Sequence, residues 1–173
     1  MRNILRRANG KAASLLLGSL LAFAIAAPAS AGPHILVDVK TGKVIEHDDA
    51  FQKWYPASLT KLMTAYTVFR QIKAGRLSLD TPIVMSKASA AAPASKLYLK
   101  PGDSMTLDDA LKVLLVKSAN DVAQAIAENV AGSVPSFVDM MNAEAARLGM
   151  SSTHFINPHG LPGKGQYTTA RDL

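Results

Sequence analysis

The chain has 173 residues, a formal net charge of +6 and no cysteine. The lack of cysteine excludes disulfide bonds, a thiol nucleophile and a thiolate-bound metal. Four of the 19 Lys and Arg residues lie within the first 11 residues, so the remainder carries 15 basic against 13 acidic side chains. An excess of +2 without any block of Lys or Arg gives no reason to expect a nucleic-acid partner.

Residues 1–31 predict a secretory signal peptide. The basic start precedes an apolar run over 12–27, and Ala29-Ser30-Ala31 supplies the small residues of a cleavage site. We expect export to the periplasm or the outer face of the cytoplasmic membrane, which leaves 32–173 as one domain. The alternative is an uncleaved N-terminal anchor, although the run is short and rich in Ala and Gly for a membrane span.

The first half of the mature chain predicts a hairpin and a long helix. β-branched runs on both sides of a Gly-containing turn at 40–43 favour a hairpin over 34–47. After a connector, an apolar helix is predicted from Ser58 to about residue 75. Short strands are predicted around 82–85 and at Leu97-Tyr98-Leu99.

The second half predicts three helices. Thr106 begins a capping box that precedes an apolar helix, and this helix ends near residue 117. Further helices are predicted over 121–131, closed by a glycine, and over 135–148. Residues 150–165 are predicted as loop. Thr169-Ala170-Arg171-Asp172 is another capping-box pattern, so we expect a helix to begin there and the sequence to be cut off.

Ser58 and Lys61 form an S-x-x-K pair at the start of the first apolar helix. Residues three apart are neighbours on a helix, about 5–6 Å apart between Cβ atoms, so Lys61 can accept the proton of the weakly nucleophilic Ser58 hydroxyl. This requires a Lys61 pKa far below about 10.4, and a helix that is apolar nearly all round would lower it by desolvation. The pair alone is weak, because chance supplies one in a chain of this length and helical lysines are commonly exposed.

Ser118-Ala119-Asn120 follows the second apolar helix, where a loop can direct polar side chains into a cleft. On its own, S-x-N is more often a cap or a turn, since Ser and Asn bond to nearby backbone. Its place after a hairpin and two apolar helices, 60 residues beyond Ser58, is that of the S-x-x-K acyl-serine enzymes. The two motifs therefore become candidates for one site.

With these motifs in this order, the chain resembles the D-alanyl-D-alanine carboxypeptidases, the low-molecular-mass penicillin-binding serine peptidases. The resemblance extends from about Ile35 to the last residue and rests on segments 55–64, 100–103, 114–123, 140–142, 148–150, 153–155 and 157–162. It implies an α+β fold of the β-lactamase/transpeptidase type, with an antiparallel sheet, a helical cluster and the site between them. The later strands of that sheet are missing from this sequence.

The resemblance also implies a role for each motif residue. Ser58 would attack the carbonyl between the two terminal D-alanines of a peptidoglycan pentapeptide, and water would later hydrolyse the acyl-enzyme. Lys61 would be the general base, Ser118 would pass a proton to the leaving amine, and Asn120 would bond the substrate backbone or the Lys61 amine. The Ser58 N–H would donate to the oxyanion, and such donors contribute about 10²–10³ in rate. β-Lactams are implied as inhibitors, and no metal or organic cofactor is implied.

The family's third motif, K-T-G on a strand, is missing. In the family this strand holds the substrate carboxylate and supplies the second oxyanion donor. Gly163-Lys164-Gly165 is no substitute, because it lacks the threonine and lies in a glycine-proline loop. We therefore expect 32–173 to be a partial domain that is inactive alone, with a missing C-terminal region that can mediate peripheral association with the inner membrane.

Two other functions remain open. A serine β-lactamase shares both motifs but needs a further acid, and Glu144, the candidate, lies mid-helix without an E-x-x-L-N context. A non-catalytic module that holds peptidoglycan or penicillin is the second. The remaining polar side chains are interpreted as structural, loop or solvated residues without metal-site spacing: His34, His47, His154, His159, Asp139 and Glu144.

Overall fold

The N-terminal hairpin pairs β1 (His34–Val37) antiparallel with β2 (Val44–Asp48) in the computed structural model, which describes residues 32–173. The carboxylate of Asp38 closes the turn by accepting hydrogen bonds of 2.8 Å from both the backbone N–H and the hydroxyl of Thr41. The predicted hairpin is confirmed. The predicted signal peptide lies outside the described residues.

A second two-stranded sheet pairs β3 (Pro82–Val84) with β4 (Ser104–Thr106), again antiparallel. Ile83 at its centre is fully buried, so one face of this sheet belongs to the core. β3 was predicted, whereas β4, only three residues long, was not. Two separate short sheets beside a helical cluster make an α+β fold, as predicted.

Five helices are present among the described residues, and a 3₁₀ turn, Ala57–Leu59, leads into the first of them. The long helices are amphipathic or buried, and side-chain caps begin only some of them. Their bounds are α1 (Thr60–Lys73), α2 (Lys87–Ala90), α3 (Leu107–Val116), α4 (Asn120–Ala131) and α5 (Val134–Arg147).

Caps explain where several of these elements begin or end. Thr106 Oγ1 accepts a hydrogen bond of 3.1 Å from the N–H of Asp109 and so begins α3. Gly132 ends α4 in the left-handed conformation, with φ of +77°. Thr169 Oγ1 accepts from the N–H of Asp172 at 3.0 Å, and a single turn follows.

The core lies where α1, α3, α4 and α5 pack against one another. α4 is at its centre, since five of the six residues 122–127 are fully buried and three of them are alanines, which let neighbouring helices approach closely. The largest fully buried apolar side chains are Phe137, Phe155, Ile83, Met85, Leu107, Leu114, Ile126 and Met141. This cluster holds the ends of α1 and α4 together, and the sequence motifs lie at those ends.

The predicted strand at Leu97-Tyr98-Leu99 is wrong. The carboxylate of Asp121, fully buried at the start of α4, accepts the N–H groups of Leu97 and Tyr98 at 2.9 and 3.1 Å. These backbone donors are therefore bonded to a side chain instead of a neighbouring strand.

A helix that is apolar nearly all round, such as α1, is typically buried on every side, and for α1 this expectation is wrong. Leu62 and Phe69 on α1 are 55% and 49% exposed, and Leu59 just before it is 51% exposed. One face of the helix packs into the core and the other is open within residues 32–173. No helix in that part of the chain is both long and apolar enough to span a membrane.

Candidate active site

Ser58 lies in the 3₁₀ turn before α1, where its side chain is exposed to solvent. The prediction placed it in the helix itself, and the structure places it one turn earlier. Its neighbour Ala57 has φ of +47°, and Ser118, across the cleft, has φ of +58°. Left-handed backbone is unfavourable for residues with a Cβ, and such strain concentrates at functional sites. Two of the four non-glycine residues with positive φ among residues 32–173 therefore lie at the motifs, and the other two are Asp49 and Tyr98.

Lys61 lies in the first turn of α1 and is 3% exposed. Its Nζ lies 3.4 Å from Ser58 Oγ and donates a hydrogen bond of 2.7 Å to the backbone oxygen of His159. Burial desolvates the ammonium group and lowers the pKa of Lys61 to about 8. About one Lys61 side chain in ten is then neutral at pH 7, enough for a general base.

Ser118 is the third polar group of the cluster. Its Oγ donates to Ser58 Oγ at 3.0 Å, across the junction between α3 and α4. The hydroxyls of Ser58 and Ser118 and the amine of Lys61 therefore meet at one point. They line a cleft of about 490 Å³ whose walls are formed by Tyr55, Pro56, Ala57, Ser58, Leu59, Lys61, Leu62, Leu114, Leu115 and Ser118.

Asn120 is close by, but its amide group is turned into the protein. Its Nδ2 donates to the backbone oxygens of Pro93 and Ala94, at 3.1 and 3.0 Å, and its N–H donates to the oxygen of Ser95 at 2.7 Å. Within residues 32–173 it makes no hydrogen bond to Lys61, which was one of its two predicted partners. Its role in binding the substrate stays a prediction.

His159 was interpreted as a loop residue, and the structure places it at Lys61. Burial, and then the nearby Lys61 charge, lower the pKa of its imidazole to about 4, so the ring is neutral at pH 7. Its Nδ1 accepts from the N–H of Leu161 at 3.2 Å, which leaves the proton on Nε2. The next carbonyl back, that of Pro158, accepts from Thr64 Oγ1 at 2.7 Å. The sequence predicted a loop here but gave no sign of its contacts with α1, because they are made by backbone oxygens.

A K-T-G tripeptide does occur in the sequence, at Lys40-Thr41-Gly42, but it lies in the turn between β1 and β2. The hydroxyl of Thr41 is bonded to Asp38 in that turn. None of the three residues lines the Ser58 cleft. The structure therefore gives no strand-borne third motif within residues 32–173.

The prediction that Glu144 is solvated is wrong. Its side chain is 16% exposed and forms ion pairs with Arg147 at 2.6 Å and with Arg70 at 3.4 Å, which joins α5 to α1. Burial raises its pKa, but the hydrogen bonds and charges of the two arginines outweigh this and hold the pKa below its ordinary value. A carboxylate engaged in this way is a poor candidate for activating water at Ser58.

The described residues contain no group of three or more His, Asp or Glu side chains arranged to hold a metal ion. The chemistry within them is that of hydroxyls and an amine. An exposed serine, a buried lysine with a lowered pKa and a second serine bonded to the first define an acyl-serine site of the S-x-x-K class.

Comparison with known proteins narrows this class. The family model for D-alanyl-D-alanine carboxypeptidase matches residues 22–173. The chain is 41% identical over 145 residues to the D-alanyl-D-alanine carboxypeptidase DacC of Escherichia coli. The alignment covers 80% of this chain and 36% of that relative. It is 34% identical over 139 residues to DacF of Bacillus subtilis, with 80% and 36% covered. This chain belongs to the D-alanyl-D-alanine carboxypeptidase family.

Solved structures agree with this assignment. The crystal structure of the D-alanyl-D-alanine carboxypeptidase DacD from Francisella tularensis matches with a TM-score of 0.80 at 41% identity, over 84% of this chain and 35% of that one. The ampicillin-bound form of penicillin-binding protein D2 from Listeria monocytogenes matches with a TM-score of 0.72 at 30% identity, over 82% and 57%. The predicted fold type is therefore confirmed. The chain spans between 36% and 46% of the length of such curated relatives.

Proposed function

We propose that this chain carries the nucleophile, base and proton-relay part of a serine-type D-Ala-D-Ala carboxypeptidase. The enzyme removes the terminal D-alanine of a peptidoglycan stem peptide through an acyl-serine intermediate, and penicillins acylate the same serine. The observation that carries the proposal is the cluster of Ser58 Oγ with Lys61 Nζ at 3.4 Å and Ser118 Oγ at 3.0 Å.

Each step assigns a proton to a named atom. The neutral Lys61 amine takes the proton of the Ser58 hydroxyl as Ser58 Oγ attacks the carbonyl carbon. The oxyanion that forms accepts a hydrogen bond from the backbone N–H of Ser58. Ser118 then donates its proton to the leaving amine of D-alanine and takes up the proton held by Lys61, so that Lys61 is neutral again when D-alanine departs and the ester is complete. The neutral Lys61 amine next takes a proton from water as the water oxygen attacks the ester, and it returns this proton to Ser58 Oγ when the acyl group leaves. Asn120 is proposed to hold the backbone of the substrate.

Labelling with a fluorescent penicillin tests this function. A β-lactam ring is strained and acylates a serine more readily than a peptide bond does, so a stable covalent label on the chain is expected. Rapid loss of the label would favour a serine β-lactamase. Absence of any label would contradict the acyl-serine proposal and favour a non-catalytic module that holds peptidoglycan or penicillin without turnover.

Purified residues 32–173 are expected to release no detectable D-alanine from a pentapeptide that ends in D-Ala-D-Ala. Without the K-T-G strand, the substrate carboxylate is not held and one oxyanion donor is missing, and one donor alone is typically worth about 10²–10³ in rate. An enzyme-coupled D-alanine assay measures this, with the Escherichia coli relative as the positive control. Detectable release would show that these residues are sufficient for turnover.

We also propose that the enzyme acts in the periplasm or at the outer face of the cytoplasmic membrane, in cell-wall biogenesis and the maintenance of cell shape. The basic, apolar and small-residue pattern of residues 1–31 supports export. Peripheral association with the inner membrane through a further C-terminal region is part of the same proposal. N-terminal sequencing of the exported protein checks the expected cleavage after Ala31.

A further inference from the structure

The turn 157–160 contacts the peptide that carries the nucleophile more closely than any residue with a side chain could. Gly160 has φ of +88°, and a Cβ built on it would overlap the carbonyl oxygen of Ala57. That Cβ would also lie 2.5 Å from the Ala57 carbonyl carbon and 2.9 Å from Thr60 Oγ1. Two of these atoms are backbone, so they cannot move aside without moving Ser58.

The Ala57 carbonyl and the Ser58 N–H belong to one planar peptide unit. In a trans peptide they point in opposite directions, so a neighbour that fixes the direction of the oxygen also fixes the direction of the N–H. The left-handed φ of Ala57, +47°, is not a conformation that alanine adopts unaided. Two contacts hold this peptide: the N–H of Thr60 donates to the Ala57 oxygen within the 3₁₀ turn, and Gly160 packs against the same oxygen from the turn 157–160.

The turn is itself anchored. Asn157 Oδ1 accepts hydrogen bonds from the N–H of Gly160 at 2.7 Å and of His159 at 3.3 Å, while its Nδ2 donates to the oxygen of Leu161 at 2.9 Å. The turn's carbonyls also accept from Thr64 and Lys61 on α1, as described above. A turn held at several points along α1 can keep a neighbouring peptide in one orientation.

We propose that Gly160 is a positioning residue that holds the Ala57–Ser58 peptide so that the Ser58 N–H faces the cleft as an oxyanion donor. The proposal rests on the proposed acyl-serine function. It assigns to the turn 157–160 a role in catalysis that is separate from its contribution to the core.

The variant Gly160→Ala tests this role, with Gly132→Ala as the matched control. Gly132 also has a positive φ, +77°, but no atom beyond its two chain neighbours lies within 4 Å of its Cβ position. In both variants an alanine must adopt a positive φ, which is unfavourable. Only Gly160→Ala displaces the peptide at Ser58. We expect Gly160→Ala to shift the ¹⁵N amide resonance of Ser58 and to lower the penicillin acylation rate constant about 10²-fold. The dissociation constant of the non-covalent complex should change much less.

A gentler variant covers the case in which Gly160→Ala does not fold. Asn157→Ala introduces no overlap but removes the acceptor that holds the Gly160 N–H, so it should shift the same resonance and lower acylation to a smaller extent. Gly160→Ala and Asn157→Ala are each compared with Gly132→Ala. If every one of the two that folds has the same Ser58 resonance and the same acylation rate constant as Gly132→Ala, the positioning role is wrong.

The amide resonance separates this inference from the proposed function, because it is measured on the full chain without substrate. A wild-type chain that is never acylated contradicts the acyl-serine function. The Ser58 resonance then decides alone whether Gly160 orients the peptide.

Discussion

Replacement of Ser58 by alanine abolishes covalent labelling by penicillin while the fold is unchanged. The hydroxyl oxygen is the atom that forms the ester, so its removal eliminates the reaction rather than slowing it. Ser58 is exposed in a 3₁₀ turn and its side chain fills no space in the core, so the free energy of unfolding should change by no more than about 0.5 kcal/mol. Intact-protein mass spectrometry measures the adduct, and circular dichroism measures the fold.

Ser151→Ala is the matched control for this variant. Ser151 is likewise exposed in a turn but lies outside the cleft, so its variant should label like the wild type. A labelled Ser58→Ala chain would place the nucleophile elsewhere. Ser118, 3.0 Å from Ser58, would be the first residue to examine by peptide mapping.

Elements determined by short-range chemistry could be predicted from the sequence. The helix beginning at Thr106 and the helix end at Gly132 depend on hydrogen bonds and backbone angles within a few residues, and both are found as predicted. The S-x-x-K spacing is similarly local, and the structure brings Ser58 and Lys61 together. The fold type was predicted from the family resemblance.

Features determined by distant partners could not be predicted in this way. The segment at 97–99 has a strand-like composition, but the buried carboxylate of Asp121 takes its N–H donors from 24 positions away. The oxygen of His159 reaches Lys61 from 98 positions away, and a backbone carbonyl leaves no mark on the residue pattern. Glu144 is a charged residue on a predicted helix face, which favours exposure to solvent. Its ion pair with Arg70 forms only because α5 packs on α1. In each case the deciding contact joins two elements.

Replacement of Lys61 by methionine is expected to lower the acylation rate constant about 10²–10⁴-fold, the usual contribution of a positioned general base. It should also remove the pH dependence that Lys61 produces. In the wild type the base is the neutral amine, and its pKa is about 8 because the side chain is buried. Acylation should therefore rise about tenfold per pH unit below pH 8 and level off above it. Stopped-flow acylation between pH 5.5 and 9.5 measures both effects.

The free energies of unfolding of the wild type and of Lys61→Met give an independent test of the lowered Lys61 pKa. In the folded state the pKa of Lys61 is lowered from 10.5 to about 8, so between these values the unfolded chain holds a proton that the folded chain has lost. Stability therefore rises with pH across this window in the wild type, and Lys61→Met lacks that rise. The difference between their urea unfolding curves from pH 7.5 to 10.5 should reach about 1–3 kcal/mol. A flat difference, together with an acylation profile that levels off only near pH 10, would mean that Lys61 keeps an ordinary pKa and cannot be the base.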